Sequence, residues 1–223
     1  MCRLKSPILE ARKIQTPMLI SIHPDSPEQR KVDQVVDLLK RDGVVIIPSD
    51  SVYSFACALG SSKGLEKMAR LRDIQPEDAH FSLICKDLSQ VSEYTAPHNQ
   101  TIFKLMKRAL PGPYTFILDA GTNVPRLFRK SKKTVGIRIP DHGVPAAIVE
   151  ALGRPLVVSS VVQDDDVIEY LTDAELVHEK YSKRVDAVIQ GGIGNNEPST
   201  VIDCTSGEAE VLREGRGVIE GIL

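Results

Sequence analysis

Short β-branched runs alternate with segments of helical periodicity along most of the chain, and this alternation limits its fold more than any other feature. Between Glu28 and Gly43, apolar residues recur at helical spacing, and Val44 to Ile47 follow as a buried strand. The pairing returns later, with a helix over Val144 to Leu152, ended by Gly153, and a strand over Leu156 to Ser159. Such alternation predicts one α/β domain built around a mixed parallel and antiparallel sheet.

Capping and turn residues set the expected element boundaries. We expect Ser26 to cap the first helix with its hydroxyl and Pro27 to occupy its first position. Pro111-Gly112-Pro113 is a hard stop between a helix and a strand. The other expected helices cover about 63–71, 100–110 and 173–181, and the other strands about 52–59, 81–85, 114–118, 134–139, 187–189, 200–203 and 209–212.

Composition restricts the class of protein. Apolar residues make up 42% of the chain and charged residues 26%, as in an ordinary globular protein. The net charge of −2 provides no overall field for nucleic acid. The sequence contains no run of 18 apolar residues, so no membrane span is predicted, and no secretory signal is recognised at the N-terminus. The four cysteines are far apart, which favours neither a zinc site nor a disulfide framework, so we expect a cytoplasmic protein.

Hydroxyls and arginines at strand ends are the candidates for chemistry. The histidines show no metal-ligand spacing, and neither a nucleophile elbow nor a glycine-rich phosphate loop is present. Arg138 lies inside an apolar strand, so it either needs a paired or wet environment or points to solvent. Ser49 and Ser199 belong either to a cleft or to self-capped turns. Ser160 ends a strand, where open α/β sheets usually bind ligands. The run Asp164 to Asp166 favours a solvated turn over a calcium loop.

Seven short segments follow one another in the order of a known set of motifs. Pro48-Ser49-Asp50-Ser51-Val52-Tyr53 resembles Pro-Thr-Glu-Thr-Val-Tyr, and Thr134 to Pro140 resembles Thr-Val-Ala-Val-Arg-x-Pro. The other segments are Arg70-Leu71-Arg72, Leu110 to Thr115, Pro155 to Ser160, Pro198 to Asp203 and Leu212 to Gly215. Together they resemble the YrdC-like threonylcarbamoyl-adenylate synthase superfamily.

The resemblance implies a domain layout and an architecture. We expect an N-terminal extension over 1–16, a YrdC-like domain over 17–217 and a tail over 218–223. The domain would be a twisted mixed sheet with flanking helices around an open concave cleft.

The resemblance also implies substrates and the residues that bind them. The synthases join ATP, L-threonine and bicarbonate into threonylcarbamoyl-adenylate with release of pyrophosphate, for tRNA modification. The amino acid is assigned to Ser49, Arg138, Ser160 and Ser199, and the nucleotide to Arg70, Arg72, Thr134 and Arg213. Mg²⁺ arrives with ATP as part of the substrate. No prosthetic group, protein metal site, covalent nucleophile or membrane partner is implied. Because the substrates are anionic, arginine suits them, and catalysis is mostly positioning and charge stabilisation.

Within the superfamily the chain resembles the YciO branch. Synthases carry lysine, asparagine, histidine and asparagine where this chain has Arg70, Phe81, Lys86 and Val162. These changes predict weak or altered synthesis. The alternative is a nucleotide- or double-stranded-RNA-binding module without this synthesis, and a structural protein with a decayed pocket is a third option. RNA would need a local basic patch, for which the candidates are Arg126, Arg129, Lys130, Lys132 and Lys133.

Overall fold

A computed structural model describes residues 18–75, 81–125, 133–161 and 171–222. Within these ranges the chain forms ten strands and six helices. The strands are β1 (Met18–Ser21), β2 (Val45–Ile47), β3 (Ser54–Ala58), β4 (Ser82–Ile84), β5 (Tyr114–Asp119), β6 (Thr134–Arg138), β7 (Leu156–Ser160), β8 (Ala187–Gln190), β9 (Thr200–Asp203) and β10 (Glu210–Arg213). The helices are α1 (Gln29–Lys40), α2 (Ser62–Leu71), α3 (Leu88–Tyr94), α4 (Gln100–Ala109), α5 (Gly143–Leu152) and α6 (Ala174–Tyr181).

All ten strands belong to one sheet, in the order β1-β8-β2-β3-β7-β4-β6-β5-β9-β10. The pairs β1–β8, β2–β8, β4–β6 and β5–β9 are parallel, and the other five pairs are antiparallel. The expected fold class, an α/β domain with a mixed sheet, is confirmed.

The two faces of the sheet are covered to different extents. On one face a hydrophobic cluster spans most of the sheet's width, including Ile46, Leu83, Phe116 and Ile202, and packs against α2, α3, α4 and α6. On the other face a smaller cluster packs α1 and α5 against β1, β8, β2, β3, β7 and the end of β4. Among the described residues, β6, β5, β9 and β10 carry no helix on this second face. That uncovered part is called the open face below.

Side-chain alternation in β6 decides what the open face presents. Val135 and Ile137 join the large cluster, so Thr134, Gly136 and Arg138 point to the open face. Thr134 and Arg138 therefore present polar groups on the open face of the sheet.

The coil of the sheet brings distant strand ends together. The pairings from β2 through β3, β7 and β4 to β6 show that β6 runs in the opposite direction to β2. In a flat sheet the residues after the two strands would thus lie at opposite edges. Here Asp50, after β2, contacts Arg138 at the end of β6. A twist of about 20–25° per strand pair accumulates to roughly 80–100° over these four steps, which makes this contact possible.

The expected elements are present with boundaries shifted by a few residues, and two elements were missed. The missed ones are β1, which pairs with β8, and α3, a seven-residue helix capped by the side chain of Asp87. The expected cap of α1 is wrong. The helix begins at Gln29, and Ser26 Oγ lies 3.3 Å from His23 Nδ1 instead of capping a helical N–H group. Among the described residues, no helix is both long and apolar enough to cross a membrane.

Candidate functional site

Arg138 is a buried arginine at the end of β6, on the open face. Its side chain is only 5% exposed, and Nη2 donates to Asp50 Oδ1 at 2.8 Å and to Ser51 Oγ at 2.9 Å. Burial lowers the pKa of Arg138 from its usual value, the nearby Arg213 lowers it further, and Asp50 raises it. A guanidinium group nevertheless stays charged in proteins. The paired alternative for Arg138 is thus the one observed, not the solvent-facing one.

The turn after β2 holds this arginine through a set of short contacts. Asp50 Oδ2 accepts the backbone N–H of Asp141 at 2.9 Å, which ties the turn after β2 to the turn after β6. Ser49 Oγ lies 3.1 Å from Ser51 Oγ and donates to the carbonyl of Val52 at 3.0 Å. Ser49 is therefore linked to Arg138 through the hydroxyl group of Ser51. It is both part of a self-capped turn and part of the Arg138 cluster.

Ser199 and Arg213 reach the same region from the strands beyond β6. Thr115 lies next to Arg138, one residue before the paired residues Phe116 and Ile137. Its Oγ1 is 2.7 Å from Ser199 Oγ, and both residues are buried. Arg213 donates from Nη2 to the carbonyl of Ser199 at 2.8 Å. Ser49, Arg138, Ser199 and Arg213 are thus brought together at one end of the open face.

Arg72 and Ser160 form a second group. Arg72, at the end of α2, donates from Nη1 to the carbonyl of Ser160, at the end of β7, at 2.8 Å. Ser160 pairs with Ser54 at the start of β3. The backbone N–H of Val161 donates to the carbonyl of Tyr53 at 2.9 Å. This second group is joined to the Arg138 cluster through the segment 51–54.

Thr134 lies at the opposite end of β6 from Arg138. They are four positions apart on the same face, which is about 13 Å at about 3.3 Å per residue. Gly136 lies between them, and a Cβ atom there would come within 2.6 Å of Ser82 Oγ. Glycine is therefore required at this position by the close approach of the Ser82 side chain from β4.

Arg70 is not part of either group. It is exposed on α2, and its Nε donates to the carbonyl of Glu66 at 3.3 Å within the same helix. The guanidinium groups of Arg70 and Arg72 diverge, because residues two apart on a helix point to different sides.

Two buried arginine nitrogens have no partner. Three buried side-chain nitrogen or oxygen atoms of the described residues lack a hydrogen bond, and they are Arg72 Nε, Arg138 Nε and His98 Nδ1. Buried polar groups are nearly always paired, so each exception calls for an explanation. Two of the three belong to arginines that the sequence assigned to ligand binding.

The positions that differ from the synthases lie in different surroundings. Phe81 packs into the large cluster and offers no polar group to the open face. Lys86 pairs with Glu150 on α5. Val162 lies outside the described residues, as do Asp164 to Asp166 and, apart from Lys133, the whole of the proposed basic patch.

Three residues of the site had not been assigned a role from the sequence. Asp50 and Ser51 contact Arg138 directly, and Thr115 contacts Ser199. A signal for Asp50 existed, because an arginine inside an apolar strand requires a counter-charge and Asp50 lies within a segment already singled out.

Other kinds of site find little support in the described part of the chain. No group of three or more histidine, cysteine, aspartate or glutamate residues is placed there to hold a metal ion. Burial raises the pKa of the Cys57, Cys85 and Cys204 thiols to about 12, so all three are protonated at neutral pH.

Sequence relatives match this protein along most of its length. The Sua5/YciO/YrdC family model, described as Telomere recombination, matches residues 37–215. YciO of Escherichia coli K12 is 37% identical over 203 residues, which cover 91% of this chain and 97% of that protein. A Haemophilus influenzae protein is 37% identical over 197 residues, which cover 88% and 94%.

Solved structures share the fold. The crystal structure of E. coli YciO matches with a TM-score of 0.85 at 36% identity, over 93% of this chain and 100% of that chain. The structure of P. abyssi Sua5 complexed with L-threonine matches with a TM-score of 0.80 at 22% identity, over 89% of this chain and 57% of that one. The second likeness shows the fold alone. With the family model matching most of its length, this chain belongs to the Sua5/YciO/YrdC family.

Proposed function

We propose that the protein binds an amino acid and ATP on the open face and joins them with bicarbonate, as a weak or altered threonylcarbamoyl-adenylate synthase. The observation that carries this proposal is the pair of buried, unpartnered Nε atoms on Arg72 and Arg138. Buried side-chain donors are paired in the large majority of cases, so these two unpaired atoms favour a ligand as their acceptor. A ligand with two separated anionic groups accounts for both donors.

Arg138 is proposed to hold the carboxylate of the amino acid. Its Nη2 is committed to Asp50 and Ser51, and its buried Nε has no partner among the described residues. Hydrogen bonds from a guanidinium group to a carboxylate are among the strong ones in proteins. Ser49 and Ser199 supply hydroxyls beside it, and Ser160 supplies one from the end of β7. The complex of P. abyssi Sua5 with L-threonine supports threonine as the amino acid to test first.

The nucleotide is proposed to lie along β6 towards Thr134. Between Thr134 and Arg138, β6 projects no side chain onto the open face, because the residue there is Gly136. Arg72 and Arg213 would bind phosphate oxygens from the two sides. Mg²⁺ would enter with the phosphates of ATP as part of the substrate. Arg70, which is exposed on α2, would contribute only long-range attraction.

The proposed chemistry consists of positioning and charge stabilisation. The amine of the amino acid first bonds to the carbon of bicarbonate and water leaves, which gives the carbamate. A carbamate oxygen then bonds to the α-phosphorus of ATP while the bond to pyrophosphate breaks. Negative charge accumulates on the phosphate oxygens during this step, and fixed guanidinium groups stabilise it. Removing one pre-placed donor at a developing charge costs on the order of 10²–10³ in rate. The changes at Phe81, Lys86 and Val162 therefore predict slow turnover.

The test is an incubation of the full chain with ATP, Mg²⁺, L-threonine and labelled bicarbonate. We expect label in threonylcarbamoyl-adenylate and release of pyrophosphate. The variant Arg138→Lys keeps a positive charge for Asp50 but loses the guanidinium donors, and we expect it to lose about 10²-fold or more in rate. Arg30→Lys on the exposed side of α1 is the matched control, and it should turn over like the unmodified chain.

Two results would contradict the proposal in different ways. Equal rates for Arg138→Lys and the control would remove Arg138 from the amino-acid site. No labelled product from the unmodified chain, together with binding of double-stranded RNA, would support the alternative of an RNA-binding module.

A further inference from the structure

Asp50 and Arg138 form an ion pair almost out of contact with solvent. Their side chains are 7% and 5% exposed, and their nearest nitrogen and oxygen atoms are 2.8 Å apart. Asp50 uses its second oxygen to hold the backbone of Asp141 at 2.9 Å. The carboxylate is therefore fixed in place by both turns, and it cancels the charge of the guanidinium group that it contacts.

Arg213 brings a second guanidinium group to the same place. A row of paired residues runs across four strands, from Arg138 through Thr115 and Val201 to Arg213. The two arginines stand at the two ends of this row. The bond from Arg213 to the carbonyl of Ser199 turns its side chain back toward this row. The pKa of Arg138 is lowered by Arg213 and raised by Asp50, which agrees with both groups acting on it.

The two guanidinium groups of Arg138 and Arg213 and the carboxylate of Asp50 together carry a single positive charge. We propose that Asp50 is a specificity-determining residue, which limits the amino-acid subsite to one net positive charge and so selects an amino acid with an uncharged side chain. This inference rests on the amino-acid binding proposed above.

The charge of the reacting amino acid is the reason for this selection. An amino acid must lose its ammonium proton before the amine can react, and it then carries one negative charge on its carboxylate. That charge matches the subsite. An acidic side chain adds a second negative charge close to Asp50, in a site where burial strengthens the repulsion. Asp50 thus admits threonine-like ligands and excludes aspartate-like ones.

The test compares two competitors of the same shape and different charge. L-Asparagine and L-aspartate compete with labelled L-threonine in equilibrium dialysis, and the ratio of their affinities is the readout. In the unmodified chain we expect asparagine to bind better. In Asp50→Asn the subsite carries two positive charges, and we expect the ratio to move toward aspartate by about tenfold or more.

A second variant moves the charge in the opposite direction. Arg213→Gln leaves no net charge, so the ratio should move toward asparagine and the affinity for threonine should fall. Because Arg213 is exposed on β10, this variant does not depend on the buried pair for folding. The control Asp37→Asn makes the same change of charge on the exposed side of α1, and its ratio should equal that of the unmodified chain.

The outcomes separate this inference from the proposed function. Failure of the unmodified chain to bind threonine would reject the proposed amino-acid site. If threonine binds, the role of Asp50 alone would be overturned by an affinity ratio in Asp50→Asn that is unchanged or moves toward asparagine. Absence of competition by either ligand in that variant would overturn it as well. If thermal melting shows that Asp50→Asn is unfolded, an unchanged ratio in Arg213→Gln overturns it.

Discussion

The contact between Asp50 and Arg138 shows how one residue depends on another at this site. Taking two charges out of water is expensive, and their attraction offsets this only while both are present. Removing one partner leaves a buried charge without compensation. The pair thus links the binding site to the stability of the fold through a single interaction.

Stability measurements on this pair provide a prediction at the residue scale. We expect Arg138→Met to reduce the free energy of unfolding by about 3–5 kcal/mol, because Asp50 is left buried and unpaired. Adding Asp50→Asn to that variant should recover part of the loss, since the remaining buried charge is removed. Urea unfolding of the two single variants, the double variant and the unmodified chain measures this coupling. Strictly additive losses would mean that the two side chains act independently.

The start of α5 shows how an element is tied to the site. His142 Nδ1 accepts the backbone N–H of Val144 at 3.2 Å, which caps the helix, and Nε2 donates to the carbonyl of Gly191 at 3.1 Å. These two bonds require the neutral ring with the proton on Nε2. Burial is the main cause that lowers the pKa of His142 below its usual value of 6.5.

The lowered pKa of His142 predicts a dependence of stability on pH. As the pH falls below about 6.5, the unfolded chain takes up a proton at this histidine before the folded chain does, so the folded state loses stability. In His142→Asn, which keeps a capping side chain, this contribution is absent. We expect the unmodified chain to lose more unfolding free energy between pH 7.5 and 5.5 than the variant does. Equal losses in urea unfolding at the two pH values would contradict this account.

At the scale of the whole molecule, one sheet is shared by two hydrophobic clusters. Successive residues of β2 serve both, because Ile46 packs into the large cluster and Ile47 into the small one. The strands that carry one cluster therefore cannot separate without exposing the other. This arrangement favours unfolding of the described domain as one unit.

Core substitutions on either face test that expectation. Leu83→Ala in the large cluster and Ile47→Ala in the small one should each cost about 2–5 kcal/mol, since both side chains are fully buried. In both variants, the transitions followed by far-UV circular dichroism and by tyrosine fluorescence should coincide. Transitions that separate in either variant would show that the two clusters unfold independently.

The sequence by itself determined the elements, the fold class and the family. Helical spacing at Val32, Val35, Val36 and Leu39 and the β-branched run that follows are local patterns, and local patterns specify local structure. The elements that were missed, β1 and α3, are short, and β1 pairs with β8, which is far away in the sequence. The wrong cap at Ser26 arose because Glu28 and Ser26 instead contact His23.

Only the tertiary structure decided which candidate residues meet. The sequence identified Ser49, Arg138, Ser199 and Arg213 separately, but their contacts depend on strands that are far apart along the chain. It did not reveal that Asp50 pairs with Arg138 or that Arg70 faces solvent. The physical reason is the coil of the sheet, which sums small twists over several strands and brings the ends of antiparallel β2 and β6 into contact. No single segment encodes that sum.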